Sequence, residues 1–79
     1  MSNDFVQFIQ FVKSNLIRNE RFYLSGTLNE LRIAKSLSDS LFIFRDDFSV
    51  SVLHNNEEIY LCENIDLEKM KKFFEILFL

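Results

Sequence analysis

The single histidine, His54, and the single cysteine, Cys62, are the first residues to test for chemistry, because a thiol beside an imidazole is a ready nucleophile–base pair. The intervening Asn55-Asn56 is a turn signal between two alternating runs, so both residues fall on a β-hairpin. A loop at Asn55-Asn56 pairs His54 with Glu57 and Cys62 with Ser49; a loop at Asn56-Glu57 pairs Cys62 with Ser51. In both registers Cys62 projects from the face opposite His54, and three to five strand positions, ~10–17 Å, separate them. The dyad fails on geometry, leaving Cys62 as a small packed residue and His54 as a strand-end side chain.

One thiol and one imidazole also exclude a thiolate or histidine-rich metal cluster and an internal disulfide. The single glycine, Gly26, cannot build a glycine-rich phosphate loop. Carboxylates gather at two turns, Asp46 with Asp47 and Glu57 with Glu58, with no EF-hand spacing to bring oxygens onto one cation. Thr27 to Ser40 could open a helix-turn-helix, but Leu41-Phe42-Ile43-Phe44 stands where the recognition helix belongs and is too apolar to face a groove. No cofactor, metal or catalytic set is expected, and the chain reads as a non-enzyme.

Charge is more informative than the motifs. The net value is -3, but residues 39–68 hold eight acidic side chains (Asp39, Asp46, Asp47, Glu57, Glu58, Glu63, Asp66, Glu68) against Arg45 alone. Such a segment repels a phosphate backbone and attracts a basic surface, so direct nucleic-acid binding is not expected.

The elements that must carry these groups follow from periodicity. Residues 4–19 read as a helix with Phe5, Phe8, Ile9, Val12 and Leu16 in one stripe, Ser2 or Asn3 as cap, and Phe11 off the stripe. Residues 67–78 read as a second, with Asp66 as N-cap, Ile65 stapled onto Met70, and Leu67, Met70, Phe73, Phe74, Leu77 and Phe78 on one side. The apolar end at Leu79 is expected to be docked. Between the helices, 41–44, 48–54 and 58–63 read as a three-stranded meander, with Phe48, Val50 and Val52 on one face. Residues 21–25 offer a fourth strand with Phe22 and Leu24 facing in. Residues 27–37 stay open: Thr27-Leu28-Asn29-Glu30 matches a helix capping box, while Leu31 and Ile33 alternate as in a strand.

The expected fold is one α+β domain over 1–79, an antiparallel three- to four-stranded meander flanked by an N-terminal and a C-terminal amphipathic helix. At 79 residues such a domain buries only ~60–65% of its unfolded surface, so its ten phenylalanines, or self-association, must supply stability. No run reaches the ~20 apolar residues of a membrane span, Met1-Ser2-Asn3-Asp4 does not open a signal peptide, and a lone thiol fits a reducing compartment; the expectation is cytoplasmic.

Aromatic surplus is the positive clue. In either register Leu53, Tyr60 and Cys62 share the face away from the main core, joined by Phe42 and Phe44 or by Leu41 and Ile43. That face is either closed by a helix or open to a partner. In size and charge the chain resembles phage-encoded inhibitors (anti-CRISPR proteins among them), antitoxins and immunity proteins, a likeness that rests on no motif. It implies an acidic binding protein that blocks a basic, nucleic-acid-handling partner. Asp46, Asp47, Glu57 and Glu58 are then the electrostatic contacts, and Phe11, Phe44 and Tyr60 the apolar anchors. The alternative is a homodimeric structural or regulatory module whose second sheet face is the interface.

Overall fold

The computed structural model describes residues 3–16, 22–27, 29–35 and 40–79. Helix α1 (Asn3–Leu16) leads into five strands, β1 (Phe22–Gly26), β2 (Glu30–Lys35), β3 (Ser40–Arg45), β4 (Val50–His54) and β5 (Glu57–Cys62), and helix α2 (Leu67–Phe78) follows. The strands form one antiparallel sheet in chain order, β1-β2-β3-β4-β5. The α+β class holds, with five strands in place of three or four, because the ambiguous stretch joins the sheet as β2. Helix residues 17–19 and the inward direction of Phe22 and Leu24 lie outside the described residues.

Turn chemistry decides the added strand. The Thr27 N–H donates to Glu30 O at 2.8 Å, and the Asn29 N–H donates to Thr27 Oγ1 at 3.1 Å. The residues that resemble a capping box thus close the β1–β2 turn. Gly26, at φ 139°, lies so close to Glu30 that a Cβ would stand 2.1 Å from its carbonyl oxygen, so no other residue fits there.

The core lies on one side of the sheet. Phe5, Phe8, Ile9, Val12 and Leu16 of α1 and Met70, Phe74 and Phe78 of α2 form a single buried cluster with Leu31, Ile33, Phe44 and Val50. The register pairs Leu31 with Phe44 and Phe44 with Val50, which places these sheet residues on one face. Both helices therefore cover the same face and meet each other over it. Rings interlock there: Phe8 lies 5.0 Å from Phe44 and edge-on to Phe74 at 6.4 Å, and Phe42 meets Phe78 edge-on at 5.3 Å. In α2, Asp66 accepts from the Lys69 N–H at 2.8 Å, the expected N-cap, and Ile65 packs on the core. Phe78 is buried, but Leu79 itself is exposed, so docking stops one residue short of the end expected from the sequence.

Two hairpins position the groups of interest. Asn55 and Asn56 both take left-handed backbone (φ 51° and 65°), the two-residue turn that suits the right-handed twist of β4 and β5. The β3–β4 connection closes through Phe48 N–H to Arg45 O (2.9 Å) and Arg45 N–H to Ser49 O (3.0 Å). Phe48 is left-handed at φ 61° and does not continue β4 as the alternation suggested. Its ring is edge-on to Phe5 at 6.4 Å.

Candidate interaction surface

The sheet face opposite the helices carries Glu30 and Arg32 from β2, Leu41, Ile43 and Arg45 from β3, Ser51 and Leu53 from β4, and Glu58 and Tyr60 from β5. No described helix packs on it. Arg45 is its centre. The guanidinium pairs with Glu30 at 3.3 Å and with Glu58, donates to Ser51 Oγ at 3.0 Å, and lies 5.9 Å from the centroid of the Tyr60 ring. Ser51 Oγ also donates to Glu58 at 2.8 Å. The Ser51 hydroxyl, with the Arg45 guanidinium beside it, holds the Glu58 carboxyl below the usual carboxylate range. Burial opposes the charge on Arg45, but the bond and attraction of Glu58, with Tyr60 and Glu30, outweigh it and raise its pKa.

The expected contacts separate into different places. Asp46 and Asp47 sit at the β3–β4 turn and Glu57 at the β4–β5 turn, so opposite ends of β4 divide them. The four carboxylates expected to act together are not one patch. Glu58 is committed to Arg45 and Ser51. Asp47 accepts from the Ser49 N–H (3.0 Å) and hydroxyl (2.6 Å), which fixes the turn. Among the described side chains no lysine or arginine pairs with Asp46, Asp47, Glu57 or Glu63. Glu63, just past β5, joins Asp47, Ser49, Tyr60 and Asn64 around an open polar cleft of about 200 Å³.

The aromatic anchors divide likewise. Phe44 is 0% exposed inside the core, which removes it from any surface. Its run is apolar at every position and carries no parity, so the sequence could not say that Phe42 and Phe44 face the helices while Leu41 and Ile43 face away. Phe11 is half-buried, edge-on to Phe74 at 5.7 Å and capped by Lys71 Nζ at 5.3 Å, and helps close the helix pair. Tyr60 stays outside at 57% exposure, between Ile59 at 50% and Leu61 at 41%. Ile59 and Leu61 are the surface residues that alternation alone concealed: they belong to an edge strand, which no described strand flanks on its outer side.

Of the two registers open from the sequence, the loop at Asn55-Asn56 is the one formed: His54 pairs with Glu57, and its Nδ1 lies 3.1 Å from Ser40 Oγ. A bulge between Val50 and Ser51 then sets Cys62 opposite Val50, in place of Ser49 or Ser51. The extra residue turns Cys62 onto the core side, away from Leu53 and Tyr60. It now shares a face with His54, but four positions along β4, ~13 Å, still keep them apart. Burial pushes the Cys62 thiol up, a bond with the Val50 backbone opposing it. Among the described residues no three His, Cys, Asp or Glu side chains are placed to hold one metal ion, and no helix is long and apolar enough to cross a membrane. No protein family, curated protein or solved structure matches the chain.

Proposed function

We propose that this chain is a non-catalytic binding protein of the inhibitor type, which captures a basic, nucleic-acid-handling protein along the acidic β5 edge of its sheet. One observation carries the reading: three consecutive large apolar residues, Ile59, Tyr60 and Leu61, are exposed among Glu57, Asp47 and Glu63, and no described basic side chain pairs with those acids. An apolar centre with a rim of one sign is how a docking surface combines affinity with partner choice. Phage-encoded inhibitors, antitoxins and immunity proteins share this small, acidic build. A second reading, a homodimer through the helix-free face, is favoured by the charge balance of that face, where Glu30 and Glu58 meet Arg32 and Arg45 and a second copy brings no net repulsion.

The test is immobilised wild-type chain against the triple variant Asp46→Lys, Glu57→Lys, Glu63→Lys, which spares the turn-fixing Asp47, with proteins of the native host passed over both. Wild type is expected to retain a basic protein that elutes as salt rises from about 0.1 to about 0.5 M, over which exposed charges are progressively screened. The variant is expected to lose it. Equal retention on both columns refutes the electrostatic basis. A dilute-solution mass of two chains, abolished by Leu53→Lys on the helix-free face, favours the homodimer.

A further inference from the structure

We infer that β5 is a strand-addition site, at which an extended, basic segment of the partner pairs edge-on with residues 57–62 and continues the sheet. This deepens the binding reading above and rests on it.

Three features meet on this strand. First, among the described residues β5 is a terminal strand of the sheet, with β4 as its only neighbour. Ladder bonds in an antiparallel pair alternate, so every second residue of β5 directs its N–H and C=O away from β4. Six residues at ~3.4 Å each give an edge of ~20 Å, the length of an ordinary strand.

Second, the devices that usually protect an edge are weak here. Proteins blunt free edges with proline, with lysine on the strand, with inward-pointing charge, or with a covering loop or helix. The chain has no proline, and β5 (Glu-Glu-Ile-Tyr-Leu-Cys) has no lysine. Its bulge lies at the far end, opposite Val50 and Ser51, so residues 57–60 stay in regular pairing with β4. Residues 57–61 are all exposed.

Third, charge selects the occupant. Every charged residue from 57 to 63 is acidic: Glu57, Glu58 and Glu63. Glu58 is neutralised within the chain, but Glu57 and Glu63 have no described cationic partner and bracket the apolar centre. A second β5 laid antiparallel about Tyr60 would set Glu57 of each copy opposite Glu63 of the other, and like charges facing across strands are unfavourable. A segment with Lys or Arg near both ends and β-branched or aromatic residues between them meets both the charge and the apolar centre. Main-chain bonds then supply affinity, and the alternating side chains supply choice.

The experiment titrates the full-length, isotope-labelled chain with a synthetic peptide of sequence Lys-Lys-Val-Thr-Val-Lys-Lys and follows backbone amide shifts and amide hydrogen exchange. Two control peptides accompany it: one with glutamate at each lysine position, and one N-methylated at alternate amides, which blocks one edge of the peptide. The basic peptide is expected to shift residues 57–63, to slow exchange on the outward amides of β5, and to bind at least tenfold more tightly than either control. Glu57→Lys with Glu63→Lys, both at exposed positions, is expected to reverse the preference between the basic and acidic peptides. Shifts confined to Leu41, Leu53 and the rest of the helix-free face overturn the edge and leave the binding reading standing. Equal binding of the N-methylated peptide overturns strand addition and leaves an acidic docking patch. Line broadening at 57–62 that grows with chain concentration alone overturns the hetero-partner in favour of a second copy. No shift from any peptide at millimolar concentration, together with no basic protein retained in the capture experiment, overturns both readings.

Discussion

Replacing Phe48 isolates the cost of its backbone. At φ 61° a residue with a Cβ is strained, and a bulky aromatic residue is an outlier there. The strain is ~1–2 kcal/mol for any L-residue and is absent for glycine. The ring compensates. It is half-buried, so it recovers about half of the ~1.5–3 kcal/mol of a fully buried phenylalanine, and its edge-on contact with Phe5 adds ~0.5–1.5 kcal/mol. Phe48→Ala loses the ring and keeps the strain, at a cost of ~1.5–3 kcal/mol. Phe48→Gly also loses the ring but releases ~1–2 kcal/mol of strain, less the ~0.5–1 kcal/mol entropic cost of glycine. The glycine variant is therefore expected to be more stable than the alanine variant by ~0.5–1 kcal/mol, or about 2–8 °C in Tm for a domain of this size. In an ordinary strand position the order is reversed, with alanine ahead by a similar amount. Urea midpoints and thermal melts of the three chains decide the matter, since the sign alone is diagnostic. An alanine variant as stable as the glycine variant, or more so, would falsify the strained hairpin.

Two shorter predictions concern side chains that fix elements near the acidic rim. Asp66→Ala removes the bond to the Lys69 N–H at the start of α2 and is expected to cost ~1 kcal/mol in urea denaturation, with Asp66→Ser retaining most of the stability. Glu58, whose folded pKa is lowered by Ser51 and Arg45, contributes stability that is present above the ordinary carboxylate pKa and lost as pH falls through its lower folded value. Urea midpoints taken from neutral pH down through the carboxylate range are expected to fall less steeply for Glu58→Gln than for wild type, and identical slopes would exclude the Ser51–Arg45–Glu58 network as an acid-labile element.

Elements written in local signals were legible, and those set by register were not. The cap at Asp66 and the α1 stripe of Phe5, Phe8, Ile9, Val12 and Leu16 depend on spacing within one helix, and the structure keeps them. The Asn55-Asn56 hairpin is equally local, and so is the pairing of His54 with Glu57 that it dictates. Thr27 and Glu30 leave 27–37 open because a capping box and a turn draw on the same side-chain chemistry, and only the alternation of Leu31 and Ile33 speaks for the strand. Cys62 moved faces because one extra residue in a ladder inverts every side chain beyond it. Phe44 stands among the sequence's surface anchors and yet lies in the core, because a run without alternation does not say which half of it points inward.

The largest gap between sequence and structure concerns what closes the second sheet face, and it bears on where a partner docks. Amphipathic patterns show that a helix must cover a sheet, but they do not say whether two helices take opposite faces or share one. Here they share one, yet Ile43 on the other face is only 4% exposed. Its cross-strand neighbours are Arg32 and Ser51, and Arg45, Glu30 and Glu58 lie in ion pairs over the same surface. Long charged side chains cover apolar area with their stems while their heads stay in water. Ile43 lies between residues of this ion-paired set, and a partner docking on the face must first break pairs that already satisfy one another, at a desolvation cost that offsets what the contact gains. That network reaches β5 only through Glu58 and the face of the Tyr60 ring; Ile59, Tyr60 and Leu61 stay exposed, and among the described residues the main chain has no neighbour beyond β5 in the sheet. Most of the aromatic surplus read from the sequence went into the core. Of the large apolar residues left exposed, Ile76 and Leu79 lie on and just past α2, while Ile59, Tyr60 and Leu61 are consecutive on an edge strand. On the binding role proposed above, only the second group couples apolar side chains to a terminal strand's main chain, and that favours a partner that binds as a strand over one that binds as a flat surface.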